Sequence, residues 1–119
     1  SILMAKNKPK VYNDGICRIV SEEKAPSSFN ARQNGNKASD FKDCYKLMFA
    51  ETSVREQDLE FAEAVGRSLN RKIKTHFLKN VAATQKIIIE NTLYDIVNID
   101  FDRVNDEMYF YLEEVRKLV

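Results

Sequence analysis

Three stretches rich in β-branched and aromatic residues, separated by two short polar breaks, fill the last fifty residues and constrain the fold most strongly. They cover residues 72–78, 86–99 and 107–115. The middle stretch contains the polar triplet 90–92, which predicts a hairpin whose first strand is buried on both faces. In the last stretch the side chains alternate: Met108, Phe110 and Leu112 face the core, and Tyr109 and Tyr111 face the opposite way. This part of the chain therefore predicts antiparallel sheet.

Two of the remaining apolar segments also have strand character. A strand over residues 11–20 is expected to bend at Gly15. A second strand, over residues 43–51, places alternate aromatic and aliphatic side chains on one buried face. In the stretch 72–78, Lys72, Lys74 and His76 share a basic face that we expect to be exposed.

One helix is predicted, from about residue 54 to residue 65. Ser53 and Glu56 have the spacing of a capping box, and Gly66 suits a left-handed C-cap. The helical period places apolar side chains on one face, and we expect these to pack on the sheet: Phe61, Ala62 and Val65.

These elements predict a mainly β (α+β) fold, a small antiparallel β-barrel or sandwich of five to six strands with the helix plugged against one opening. A chain of 119 residues fits a single domain. We expect a flexible N-terminal arm over residues 1–10 and one domain over 11–119. Residues 21–42 lack periodicity and are rich in Ser, Asn, Pro and Gly, which predicts a long mobile loop that is functional, disordered, or both.

The formal net charge is only +1, but it is unevenly distributed. Residues 1–42 hold eight Lys/Arg against four Asp/Glu, whereas 43–119 hold eleven against fourteen. The basic arm would attract nucleic acid only weakly. Cys17 and Cys44 lie in unrelated apolar contexts and are expected to be buried free thiols, as in a reducing cytoplasm. No apolar run reaches the roughly 20 residues that span a bilayer, so no membrane partner is expected.

Catalytic patterns are lacking in the sequence, so we expect neither an enzyme nor a cofactor. His76 is the single histidine and lies on the polar face of a strand, which favours a surface role over general-base chemistry. The densest acidic patch, residues 100–107, lacks the Gly and the closing Glu of an EF-hand loop, so no metal site is predicted. Lys72, Lys74, Tyr109 and Tyr111 could form a stacking face for single-stranded nucleic acid, as on an OB-fold. Alternatively, the two tyrosines are covered by the helix or by a neighbouring subunit.

Five short motifs occur in an order that resembles the head-tail joining (head-tail adaptor, or head completion) proteins of long-tailed bacteriophages. They are VYNDGI at 11–16, TSVRE at 52–56, EFA at 60–62, KIKT at 72–75 and LYDI at 93–96. The triplet Tyr94, Asp95 and Ile96 carries the most weight. The likeness covers about residues 11–115, and the long polar loop departs from the commoner pattern.

The resemblance implies a structural virion protein that is assembled in the host cytoplasm and catalyses no reaction. Such a protein forms a homo-oligomeric ring below the portal, closes the DNA-filled head and docks the tail. Its expected partners are further copies of itself, a portal or adaptor protein, and a tail completion or tail-tube protein. The loop 21–42 is then the candidate gate, with Arg32, Lys37 and Lys42 as candidates for contact with packaged DNA. Lys72, Lys74, Tyr109 and Tyr111 are candidates for subunit or partner contact. A tail completion protein and a small OB-like nucleic-acid-binding module are the alternatives.

Overall fold

Six antiparallel strands close into a small β-barrel with a single short helix in a computed structural model that describes residues 11–22 and 41–119. The strands are β1 (Gly15–Glu22), β2 (Phe41–Thr52), β3 (Arg71–His76), β4 (Lys86–Ile89), β5 (Thr92–Asp102) and β6 (Glu107–Lys117). The helix, α1, spans Glu56–Ala64. The predicted fold class is confirmed, and the barrel is the correct choice of the two architectures.

The strands follow the order β1-β2-β3-β6-β5-β4 around the barrel. The β1–β2 ladder has eight residue pairs, but this two-stranded unit joins the other four strands through only three pairs to β3 and three pairs to β4. The β5–β6 hairpin is the longest connection, with ten pairs. The ladders with the fewest paired residues are therefore those that join β1–β2 to β3 and β4.

The period-two pattern of the strands places their apolar residues in the barrel interior as predicted. Ile73 of β3 pairs with Phe110 of β6, and both are fully buried. All three isoleucines of β4 are buried, because Ile87 and Ile89 enter the main core while Ile88 packs in a second cluster with Val20, Phe41, Leu93 and Leu118. The prediction that this strand is buried on both faces is confirmed.

The turn between β4 and β5 consists of Glu90 and Asn91, both with positive φ (49° and 62°). Two consecutive left-handed residues give the turn a twist that matches the flanking strands. Gly15 has a φ of 144°, and a Cβ there would lie 3.0 Å from the Phe49 ring, so this bend requires glycine.

Helix α1 differs from the prediction in its boundary, its cap and its buried face. Arg55, not Ser53, precedes the helix, and its backbone N–H donates to Asp58 Oδ2 at 2.9 Å. Ala62 is buried as predicted, but Phe61 is 45% exposed and Val65 is exposed as well, so these two residues do not pack on the sheet. The helix contacts the barrel wall through Asp58, which bonds to Lys72 of β3.

Both ends of the predicted loop 21–42 belong to strands. Ser21 and Glu22 belong to β1, where they pair with Lys42 and Phe41 of β2. Phe41 is buried in the second apolar cluster, which explains why the ladder extends this far. The remainder of that prediction, residues 23–40, and the arm 1–10 lie outside the described residues. No helix in the described ranges is long and apolar enough to cross a membrane.

Candidate interaction surface

The outer face of β3 and β6 brings together the four residues predicted to contact a partner. The register pairs Lys72 with Tyr111 and Lys74 with Tyr109. Their side chains point outward because the alternate residues, such as Ile73 and Phe110, occupy the core. Strand alternation predicts that the two lysines share one face of their strand and the two tyrosines one face of theirs, and the long-range pairing of β3 with β6 joins the two faces.

The three candidates for DNA contact are not brought together in the described part of the structure. Lys42 lies at the start of β2, exposed and opposite Ser21. Arg32 and Lys37 lie outside the described residues, as does the greater part of the loop to which they were assigned. Their role in contacting DNA stays a prediction.

Lys72 is buried, which contradicts the expectation of an exposed basic face at this position. Its side chain is 7% exposed, and its Nζ lies 3.1 Å from Asp58 Oδ2 on helix α1. The ammonium also lies over the rings of Tyr111 and Tyr109, 4.9 and 5.4 Å from their centroids. A helix residue fourteen positions earlier in the chain therefore covers this lysine.

Asp58 links the helix to the barrel wall. Burial would raise the pKa of its carboxyl, but the N–H of Arg55 and the ammonium of Lys72 together hold the pKa below its usual value. The carboxylate thus caps the helix and neutralises Lys72 at the same time. The carboxylate therefore fixes the position of helix α1 on the barrel wall, and it is ionised near neutral pH.

Lys74, the second cation on this face, is also paired. Its Nζ lies 3.7 Å from Glu107 Oε2, and the same oxygen accepts a 2.5 Å hydrogen bond from the hydroxyl of Tyr12. The ring of Tyr12 lies 4.6 Å from that of His76, between centroids. His76 itself is exposed, as predicted. Because Tyr111 is buried like Lys72, the face offers the half-buried ring of Tyr109 and paired charges, and little positive charge remains for phosphate groups.

A cleft of about 670 Å³ opens beside this face, between the start of α1 and the β5–β6 hairpin. Tyr109, Tyr111, Arg55, Arg103 and Val104 are among the residues that line it. The hydroxyl of Tyr111 donates to Asp100 Oδ2 at 2.7 Å, and burial together with this bond raises the pKa of the phenol. Mixed charges around aromatic walls suit a polypeptide segment better than a uniformly anionic ligand.

Several apolar side chains that sequence reasoning did not assign to any site are exposed on other surfaces. On the outer side of the barrel, Ile16 of β1 and Met48 of β2 form a cross-strand pair, and both are more than half exposed. Phe101 and Val104 are exposed at the β5–β6 hairpin. Val104 stands alone in an acidic turn, a pattern that could have indicated a displayed contact residue.

Metal chemistry has no obvious site in the described ranges, where no group of three His, Cys, Asp or Glu side chains could hold an ion. Cys17 is buried, as predicted, but Cys44 is exposed, so the expectation of two buried thiols is wrong for Cys44.

No family model matches this chain, and no curated protein matches it significantly in sequence.

Proposed function

We propose that this chain is a structural component of the head-tail connector of a long-tailed phage. In this role it forms a ring below the portal, closes the DNA-filled head and docks the tail. The likeness of its motifs to head-tail joining proteins suggests the assembly, and the barrel is a scaffold suited to it. No catalytic step is required of such a protein.

Exposed apolar residues on several separate surfaces are the observation that best supports this proposal. They occur on helix α1 (Leu59, Phe61 and Val65), on the β1–β2 face (Ile16 and Met48) and at the β5–β6 hairpin (Phe101 and Val104). Apolar clusters exposed to water mark sites of protein contact. A subunit within a ring needs at least two different surfaces for its two neighbours and others for the components above and below.

The proposed partners are further copies of this chain, a portal or adaptor protein, and a tail completion or tail-tube protein. In the assembled ring, Arg32, Lys37 and Lys42 would face the channel and contact the packaged DNA. The face formed by Lys72, Lys74, Tyr109 and Tyr111 would contact a neighbouring protein. The paired state of both lysines favours a protein contact over direct readout of nucleic acid.

Interruption of the gene in its phage or prophage, followed by electron microscopy of the lysate, tests the proposal. We expect DNA-filled heads and complete tails that remain unjoined, together with restoration of virions when the gene is supplied in trans. Normal virions from the interrupted gene would refute a connector role.

Mixing of extracts separates the head-side role from that of a tail completion protein. For a head-side protein, heads from the mutant fail to join tails from the wild type, whereas tails from the mutant join heads from the wild type. The reverse pattern would assign the protein to the tail end.

A further inference from the structure

We propose that the tip of the β5–β6 hairpin of one copy docks on the outer face of β1–β2 of the next copy. This contact rests on the proposed self-assembly and specifies which surfaces of two subunits meet. The hairpin tip comprises residues 100–106, and the receiving face comprises the exposed outer side chains of β1 and β2 with the adjoining groove.

The hairpin tip displays an apolar side chain on a braced turn. Val104 is 93% exposed, whereas its neighbours hold the turn together. Asp102 accepts hydrogen bonds from both the backbone N–H and the side-chain amide of Asn105, at 3.1 and 2.8 Å. The Phe77 N–H donates to the carbonyl oxygen of Asp106 at 3.0 Å. A turn that is already ordered loses little conformational entropy on binding, so its exposed valine is well suited as an anchor.

The receiving face contains an apolar groove of about 580 Å³. Its walls are formed mainly by Val11, Leu47, Met48 and Leu78, with Tyr12 and His76 beside them. Ile16 extends the apolar surface, since it pairs with Met48 on the outside of the barrel. A small aliphatic side chain such as valine fits a groove of this composition and would remove its apolar surface from water.

The charges of the two surfaces are complementary. Residues 100–106 contain three Asp and one Arg, a formal charge of −2. On the receiving side, Lys46 is exposed and makes no ion pair with any other residue of the described ranges, whereas Arg18 is bonded to Asp43. The same charges disfavour DNA as the partner of the hairpin, because its phosphates would face aspartates.

The topology makes the hairpin tip and the outer face of β1–β2 two different patches of the barrel wall, with the groove next to the first residue of β6 through the bond from Tyr12 to Glu107. In the order β1-β2-β3-β6-β5-β4, the pair β1–β2 is separated from the pair β6–β5 by β3 on one side and by β4 on the other. Contact between two different patches is heterologous and propagates from one subunit to the next. Such contacts generate a ring when the rotation between subunits closes.

Disulfide trapping tests this contact directly. In a Cys44→Ser background, which removes the exposed thiol, we introduce Val104→Cys and Met48→Cys together and separately. At high protein concentration under mild oxidation, the double variant should give a ladder of dimers, trimers and larger species on non-reducing gels. Each single variant alone should stay monomeric, and an equal mixture of the two single variants should stop at dimers.

Other outcomes overturn the proposal. Dimers from Met48→Cys alone would indicate a symmetric contact of that face with itself, and the absence of a ladder from the double variant would rule out the tip-to-face contact. Unchanged circular dichroism establishes that the variants are folded. Failure of this test leaves the connector role to be judged separately by the mixing of extracts, which does not depend on which surfaces meet.

A charge variant provides an independent readout. Lys46→Glu should weaken self-association at low salt by about tenfold, because it places like charges across the contact. Lys117→Glu, an exposed lysine on β6 outside both surfaces, serves as the matched control and should leave association unchanged. Equal effects of the two substitutions in sedimentation velocity would contradict the proposal.

Discussion

The ion pair between Lys72 and Asp58 should be the most sensitive polar contact in the described part of the fold. Both side chains are almost completely buried, and Lys72 is also enclosed by two tyrosine rings. Removal of one partner from a buried pair costs about 3–5 kcal/mol, because the remaining charge stays buried without compensation. Asp58 keeps the hydrogen bond from the Arg55 N–H, so we expect Lys72→Met to cost about 3 kcal/mol, the lower end of that range.

Urea denaturation followed by circular dichroism measures this cost. With a denaturant slope of about 2 kcal/mol per molar, a loss of 3 kcal/mol lowers the midpoint by about 1.5 M. Asp58→Asn removes the charge and keeps an acceptor for the capping bond, so it isolates the same interaction from the side of the helix. In the double variant neither charge remains buried without a partner, and its destabilisation should be about 2 kcal/mol less than the sum of the two single variants.

Lys74→Met is the matched control. Its bridge to Glu107 is longer, at 3.7 Å, and the lysine side chain is 28% exposed, so the loss should be about 1 kcal/mol or less. If Lys72→Met is no more destabilising than Lys74→Met, or if the double variant shows no coupling, the buried pair does not anchor the helix and our reasoning about this face is wrong.

Three further predictions concern single residues. Gly15→Ala should lower the free energy of unfolding by about 2 kcal/mol, since it adds a steric contact to an unfavourable φ. Gly66→Ala, with open space around it, should lower the free energy of unfolding by only about 1 kcal/mol. Equal losses in urea titrations would contradict this. A thiol reagent should label Cys44 rapidly in the native protein and Cys17 only after unfolding, because Cys17 is buried and burial raises its pKa to about 12. Labelling of both cysteines in the folded state would contradict the burial of Cys17. The backbone N–H of Ser68 and the side chain of Arg67 lower the pKa of Glu113, so the stability that this carboxylate contributes above about pH 4.3 should be lost as the pH falls. Glu113→Gln should reduce this dependence of the thermal unfolding temperature on pH.

The strands were predictable from the sequence because each depends on a local pattern. Alternation placed Ile73 and Phe110 inside and Tyr109 outside, and burial against the core enforces that register. The same alternation contained the correct position of Cys44, which directly precedes the inward-facing Tyr45 and therefore shares the outward face with Lys46. The expectation of burial came from the general tendency of free cysteine and overrode the local signal.

The helix and the candidate surface were less predictable because their partners are distant in the chain. Helical periodicity indicated an apolar stripe against the sheet, but a carboxylate decides the orientation of α1 by pairing with a lysine on β3. The burial of Lys72 follows from that long-range contact and could not be deduced from its own neighbours. Likewise, the bond from Tyr12 to Glu107 spans 95 positions, and nothing in the local sequence of either residue indicates it.

The unequal ladders of the barrel have a consequence for the order in which the molecule comes apart. Two strands held to each other along eight pairs, but to their surroundings along only three on each side, behave as a flap on a four-stranded sheet. Local opening with the smallest loss of contacts detaches this flap as a unit, so its outer junctions should exchange amide hydrogens earlier than the β5–β6 hairpin does. The subunit can therefore open where β1–β2 joins β3 and β4, while the core enclosed by the other four strands remains inaccessible to water.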